Sequence, residues 1–328
     1  MQQSNHFAIT ANDIRAASQR IAGQVVRTPL ILCDSISKSL GCELLFKAEN
    51  LQHEGSFKVR GATNAVSSLV DQTSKNELAE CGVITHSSGN HAAALARAAT
   101  LNGIRAKIVM PHNSSRRKFD AVRQYGIEPI LCEPSSEARQ LKADEIISQT
   151  GAKMIHAYDH PDIIAGQGTV GLEILEQITN ADVILAPVGG GGLLAGILLA
   201  VKTTDPNIQI FGCEPTFADD AHRSLHAGRL QKPTRYDSVA DGLRTCLGDL
   251  TFPIIQNFVD DILLVDEPEI LEATRTIAIQ GRLVAEPSGA VTLAAACRYR
   301  QKFKEQRVVA VISGGNLDMG GCTLGNTR

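Results

Sequence analysis

This 328-residue chain lacks any apolar stretch near the length of about 18 residues that a membrane-spanning helix needs, and its polar first residues, 1–13, do not form a cationic start followed by an apolar core. No membrane partner is expected, and the chain reads as cytoplasmic. A Lys/Arg-rich run is missing too, and the formal net charge is only −3, so there is no electrostatic footprint for nucleic acid. Small-molecule chemistry remains. The cysteines at 33, 42, 81, 132, 213, 246, 297 and 322 stand singly with no C-x-x-C pair, which reads as reduced core thiols rather than a zinc site. No internal repeat or low-complexity linker interrupts the chain.

What the sequence does contain is an alternation of short apolar, β-branched runs with helical patterns. The runs are 44–46, 83–85, 106–110, 129–131, 153–156, 183–187, 208–213 and 308–313. They predict an α/β protein with open parallel sheets covered by helices on both faces. Residues 82–156 carry their own strand-helix units and are expected to close as a small domain, with 1–81 and 157–328 forming a larger one. In such sheets the ligand site forms at the loops beyond the carboxyl ends of the strands.

Four of those loops carry unusual residues. In Gly55-Ser56-Phe57-Lys58, Ser56 can cap a helix whose first turn holds Lys58, where the positive end of the helix dipole disfavours a cation. A lysine with a depressed pKa beside a phosphate loop suits imine chemistry. In Ser87-Ser88-Gly89-Asn90-His91, small and polar residues open an alanine-rich helix and offer free N–H groups to an anion. Gly189-Gly190-Gly191-Gly192 follows a buried strand, and backbone without Cβ atoms can wrap a phosphate closely. Gly190-x-Gly192-x-x-Ala195 also matches the loose dinucleotide fingerprint, so a nicotinamide- or ligand-binding protein stays open here, although no clear acidic strand end follows at the expected distance. Ser313-Gly314-Gly315-Asn316 closes the final strand.

Taken in order, these loops resemble the fold-type II pyridoxal-phosphate enzymes, whose fold is tryptophan synthase β-like. The likeness is nearest to serine racemases and the related serine, threonine and 3-hydroxyaspartate dehydratases. It extends to 164–169 (IAGQGT), 240–242 (ADG) and 286–289 (EPSG). The resemblance implies that Lys58 is the Schiff-base lysine. It further implies that Gly189, Gly190, Gly191 and Gly192 with Leu193 hold the cofactor phosphate, Asn90 bonds the ring hydroxyl, Ser313 meets the pyridine nitrogen, and Phe57 and Tyr158 flank the ring. A serine at that nitrogen makes the ring a weaker electron sink than a carboxylate would, favouring β-elimination over transamination.

The substrate carboxylate is placed on Ser87, Ser88, Gly89, Asn90 and His91, with Arg139 and Thr245 lining the substrate side; Arg139 would suit a second carboxylate. The resemblance makes Lys58 and Ser88 the expected catalytic groups, one on each face of the substrate, with the Ser88 hydroxyl permissive for racemisation. The chain is thus expected to act on L-serine and L-threonine, giving 2-oxo acid, ammonia and D-serine. The alternative is an L-threo-3-hydroxyaspartate ammonia-lyase. Glu214, Ala218 and Asp220 resemble a divalent cation loop suited to Mg, Mn or Ca. The resemblance also implies a homodimer. His53, Glu54 and Ala93 depart from the residues that serve an activating nucleotide in mammalian members, so ATP activation is not expected, nor is an appended regulatory domain.

Overall fold

The computed structural model of the protein describes residues 7–87 and 89–317. Among the described residues, ten strands form two sheets. β1 (Leu30–Leu32), β2 (Glu43–Ala48), β7 (Val183–Pro187), β8 (Gln209–Pro215), β9 (Asp261–Val265) and β10 (Arg307–Ile312) make a six-stranded sheet in the order β1-β2-β10-β7-β8-β9. β3 (Val83–Thr85), β4 (Ala106–Pro111), β5 (Ile130–Cys132) and β6 (Lys153–Met154) make a four-stranded sheet in the order β5-β4-β3-β6. The smaller sheet is wholly parallel, but the larger is mixed, because β1 pairs antiparallel with β2. The sequence expectation of purely parallel sheets therefore needs correction at that edge. β1 is three residues long and half-exposed, too short to show a pattern, and β9 adds a strand that the eight apolar runs do not include.

The central strands read as continuous apolar runs because both of their faces are covered. Val308, Ala310 and Ile312 of β10 pack into one core with Leu44, Phe46, Leu185, Phe211, Ala290 and Leu293. Val309 and Val311, pointing the other way, join Ile184, Ile210, Leu194, Ile197 and Leu198. In the small sheet Val83, Ile108 and Met110 pack on the alanine-rich helix Asn90–Leu101 and on Val59, Ala62 and Val66 of the helix Lys58–Gln72.

One helix, Pro161–Gln177, holds the functional elements in place. Its Gly166 meets Gly61 of the Lys58 helix so closely that a Cβ on Gly166 would stand 2.6 Å from Gly61 Cα. Its Gly168 does the same to the helix Gly192–Lys202, where a Cβ would stand 2.9 Å from the Gly196 carbonyl oxygen. Further along, its Glu173 enters a buried charge cluster. The fully buried Arg60 donates from Nε and NH2 to Glu49 (2.8 Å each) and from NH1 and NH2 to Glu173 (2.7 and 2.8 Å). Lys47 Nζ donates to Glu173 at 2.6 Å and to the Thr28 carbonyl at 2.7 Å.

Removing one partner from such a cluster leaves the others buried and uncompensated, which costs about 3–5 kcal/mol. Arg60→Ala is therefore expected to lower the stability of the protein by that order, read as an earlier urea midpoint. An unchanged midpoint would show that Glu49 and Glu173 find other partners or take up protons without penalty.

Candidate active site

The carboxyl ends of both sheets supply loops to one junction. The chain leaves β2 and reaches Lys58, the first residue of its helix. Contrary to expectation, Ser56 does not cap that helix: the N-cap residue is Phe57, and the Ser56 hydroxyl is buried without a partner. Backbone pairing fixes the loop instead. Ser56 bridges to Gly314, and Phe57 N donates to the Ser313 carbonyl at 3.1 Å, so the lysine loop and the loop after β10 form one unit.

Lys58 Nζ donates to the Ala157 carbonyl at 2.7 Å and lies 5.1 Å from the centre of the Phe57 ring. The residue keeps some exposed surface, yet protein atoms crowd the amine. That desolvation lowers its pKa to about 8, with the Glu286 carboxylate pulling the other way. Ala157 leads into Tyr158, whose ring covers the second residue of the tetraglycine: a Cβ on Gly190 would fall 2.3 Å from the Tyr158 ring. Gly191 has φ +85°, which a residue with a side chain rarely adopts, and it is the N-cap of the helix that starts at Gly192. Free N–H groups at that helix start can receive a phosphate. Gly189 sits against Thr245, and Leu193 is buried.

The loop after β3 approaches from the small sheet. Ser88 lies outside the described residues. Gly89 is the N-cap of the helix Asn90–Leu101, and Ser87 Oγ accepts from Gly89 N at 3.4 Å. Asn90 Nδ2 donates to Glu286 Oε1 at 2.8 Å, and its Oδ1 accepts from Asn316 Nδ2 at 2.8 Å. Asn316 in turn donates to the Glu54 carbonyl and accepts from Arg117. Burial raises Glu286 to about 7, with Asp241 adding to the rise. The His91 side chain faces the small core: it is 1% exposed, its Nε2 sits 3.1 Å from the Ile155 carbonyl, and burial pushes it down to about 3. Burial first, then His86 and Lys58, pushes His156 down to about 4, so the imidazoles beside the lysine are neutral at pH 7.

Arg139 stands on the helix Ser136–Thr150, with NH2 donating to Ser136 Oγ at 3.0 Å and a buried Nε that has no partner. Its charge reaches His86 and Tyr158. Sequence reasoning missed Thr251 and Asp159. Thr251 Oγ1 donates to the Gly190 carbonyl at 2.8 Å, and the Asp159 carboxylate accepts from the N–H groups of Asp249, Leu250 and Thr251. Neither belongs to a motif; the only signal is the position of Asp159, next to Tyr158.

Glu214 and Asp220 meet where β8 ends. Both are fully buried, and so is Ala218, the last residue of the turn Thr216–Ala218. Glu214 accepts from Ala221 N and His222 N at 2.9 Å each. Neither Asp220 oxygen has a hydrogen bond of good geometry, although its own N–H and that of Leu247 lie near. Burial raises Asp220 to about 7, and burial followed by Asp220 raises Glu214.

A family model described as pyridoxal-phosphate dependent enzyme matches residues 21–314. The chain is 43% identical over 317 residues to serine racemase of Dictyostelium discoideum, covering 95% of this chain and 96% of that protein. It is 41% identical over 310 residues to beta-hydroxyaspartate dehydratase of Paracoccus denitrificans, covering 94% and 97%. The solved structure of maize serine racemase superposes with a TM-score of 0.92 at 41% identity, covering 96% of this chain and 95% of that one. That of a T.th. threonine deaminase gives 0.89 at 41%, covering 95% and 99%. The nicotinamide alternative for the tetraglycine is overturned by the family match.

In cofactor-free protein with dimethylated lysines, the Lys58 methyl resonance is expected to titrate near pH 8, below the surface lysines. Glu286→Gln should move that midpoint lower still, since it removes the charge that favours the ammonium. A Lys58 midpoint near the ordinary 10.5 would contradict the desolvated amine.

Proposed function

The chain belongs to the pyridoxal-phosphate dependent enzymes, and from that membership we propose that it is a dehydratase and racemase of small hydroxy amino acids, with L-serine and L-threonine as substrates. The observation that carries this reading is the meeting of a desolvated Lys58 amine, the Tyr158-covered tetraglycine and the Ser313 loop at one junction. The pairing of Ser56 with Gly314 fits the same picture.

Pyridoxal phosphate, when bound, supplies an electron-withdrawing ring that acidifies the Cα–H of an amino acid joined to it. Lys58 would hold it, with Gly189, Gly190, Gly191, Gly192 and Leu193 receiving its phosphate at a helix start. Asn90 would meet the ring hydroxyl and Ser313 the ring nitrogen, between Phe57 and Tyr158. Once free, the Lys58 amine is a base already weakened by desolvation, able to take a Cα proton near neutral pH. On the opposite face, Ser88 is the group we assign to return a proton, which makes racemisation possible. The N–H groups of the 87–91 turn, with Thr245 at Gly189, would orient the substrate carboxylate. His91 contributes through its main chain, since its ring is engaged with Ile155.

Arg139 favours a second reading, L-threo-3-hydroxyaspartate ammonia-lyase. Its buried, unpartnered Nε suits a distal carboxylate, and the Paracoccus relative is named a beta-hydroxyaspartate dehydratase. Relative kcat/KM for 2-oxo acid release from L-serine and L-threo-3-hydroxyaspartate, with chiral chromatography of the remaining serine, separates the two. D-serine formation with serine preferred supports the first reading; strong preference for hydroxyaspartate, reduced at least about tenfold in Arg139→Gln, supports the second. Lys58→Ala is expected to abolish both activities. Ser88→Ala should slow racemisation by about 10²-fold or more while sparing elimination, and normal racemisation by that variant would refute the two-base assignment.

We also assign Glu214, Asp220 and the Ala218 carbonyl to a structural divalent cation (Mg, Mn or Ca). The support is the orphaned, buried Asp220 carboxylate facing a second carboxyl, an arrangement a hard cation relieves. Without the cation, a carboxyl whose folded pKa lies near 7 costs stability as pH rises from about 4 through 7. Chelation is therefore expected to lower Tm more at pH 8 than at pH 5, and Asp220→Asn to remove that difference. The reading further takes the protein as a cytoplasmic homodimer in which residues 82–156 form the small domain.

A further inference from the structure

The helix Asp220–Ala227 begins at the buried carboxylates, but its later residues carry a different set of donors that the proposed reaction does not use. His222 and His226 lie one turn apart, with ring centres 4.2 Å from each other, and Asp261, the first residue of β9, stands beside them. One ligating atom from each of the three falls within 4.8 Å of the other two.

The hydrogen bonds decide which atoms are free. His222 Nδ1 lies 2.9 Å from the Ile262 carbonyl, and His226 Nδ1 lies 2.9 Å from the His222 carbonyl. A carbonyl oxygen only accepts, so the tautomer these contacts select carries its proton on Nδ1 and has its lone pair on Nε2. Metal-binding histidines are commonly held this way, with the second ring nitrogen donating to backbone. Asp261 commits Oδ1 to Ile262 N at 2.8 Å, leaving Oδ2 available.

We infer that His222, His226 and Asp261 form a binding site for a zinc-class divalent transition ion, separate from the hard-cation carboxylates. Two imidazoles and one carboxylate suit zinc, copper, nickel or cobalt, whereas magnesium and calcium prefer all-oxygen sets. To reach metal–ligand bonds of about 2.0–2.2 Å, the donors, now within 4.8 Å of one another, would draw together. Three protein ligands leave a coordination position for water. The ion would join the helix to β9, and because His222 N and Ala221 N also bind Glu214, it would brace the helix turn that shapes the Glu214 and Asp220 site.

The test uses the full-length, cofactor-loaded protein in excess magnesium, so that the oxygen site is filled, and titrates Co²⁺ while recording the d–d absorption bands. One equivalent is expected to give a low-coordinate spectrum that zinc displaces, together with a rise in Tm. His226→Gln changes an exposed residue and Asp261→Asn keeps the side-chain shape; both should lose the spectrum and the Tm rise, with unchanged circular dichroism. Lys58→Ala should keep both, which separates this site from the reading of the catalytic junction. No cobalt spectrum in the parent protein, or the same spectrum in His226→Gln, overturns the proposal.

Discussion

The bidentate grip of Arg60 on Glu49 and Glu173 is the constraint from which the site follows. Arg60 lies two residues beyond Lys58, so whatever fixes its guanidinium also fixes the first turn of the lysine's helix. Glu49 comes from the segment after β2, and Glu173 from the helix Pro161–Gln177, so three parts of the chain meet at one planar cation. A guanidinium with no surface cannot rotate away without leaving carboxylates in a dry interior. The same helix brings Gly166 and Gly168 to the lysine helix and the helix after the tetraglycine respectively. Backbone contact at both places leaves no slack for side chains to take up. The distance between the amine and the tetraglycine is therefore set by packing outside the site.

Burial sets the protonation of the basic groups at the junction. His86, His91 and His156 are all pushed towards the neutral form, and burial weakens Lys58 as a cation. Polarity enters through oriented amides: Asn90 and Asn316 link the small-sheet loop to Glu286, Glu54 and Arg117. Lys118 adds an ion pair with Asp241 across the same junction. Such directional contacts hold the two sheets in register, and Glu286, one of their partners, is the charge that acts on the Lys58 amine against its desolvation.

Much of this was legible in the residues. The eight anticipated apolar runs are strands, because buried parallel strands have no polar face to blur the pattern. The tetraglycine sits where a strand meets a helix, as its lack of Cβ atoms required. What escaped the sequence had physical causes. β1 is short and paired backwards at an edge, where packing demands little. Ser56 looked like a cap, but the Ser313 and Gly314 backbone took over the work, a contact between residues far apart in the chain. Arg60 and Glu173 read as ordinary helix charges, since no local pattern announces that a cation is enclosed. Glu286 was visible only as part of a motif; its closeness to Asn90 depends on how the two sheets dock. The dipole argument for Lys58 pointed the right way, yet desolvation, the larger cause, depends on neighbours brought in by the fold.

The sheet order places β10, the last strand among the described residues, between β2 and β7. During synthesis the ribosome therefore releases every other strand of that sheet first, and a gap stays open at its centre until Arg307–Ile312 emerges. Both strands beside the gap present unpaired backbone in the meantime, an invitation to wrong partners. The lysine loop waits as well, because its hydrogen bonds run to Ser313 and Gly314. A nascent chain cannot shape the Lys58 loop early, and a product cut short before β10 would carry an open seam of unpaired backbone.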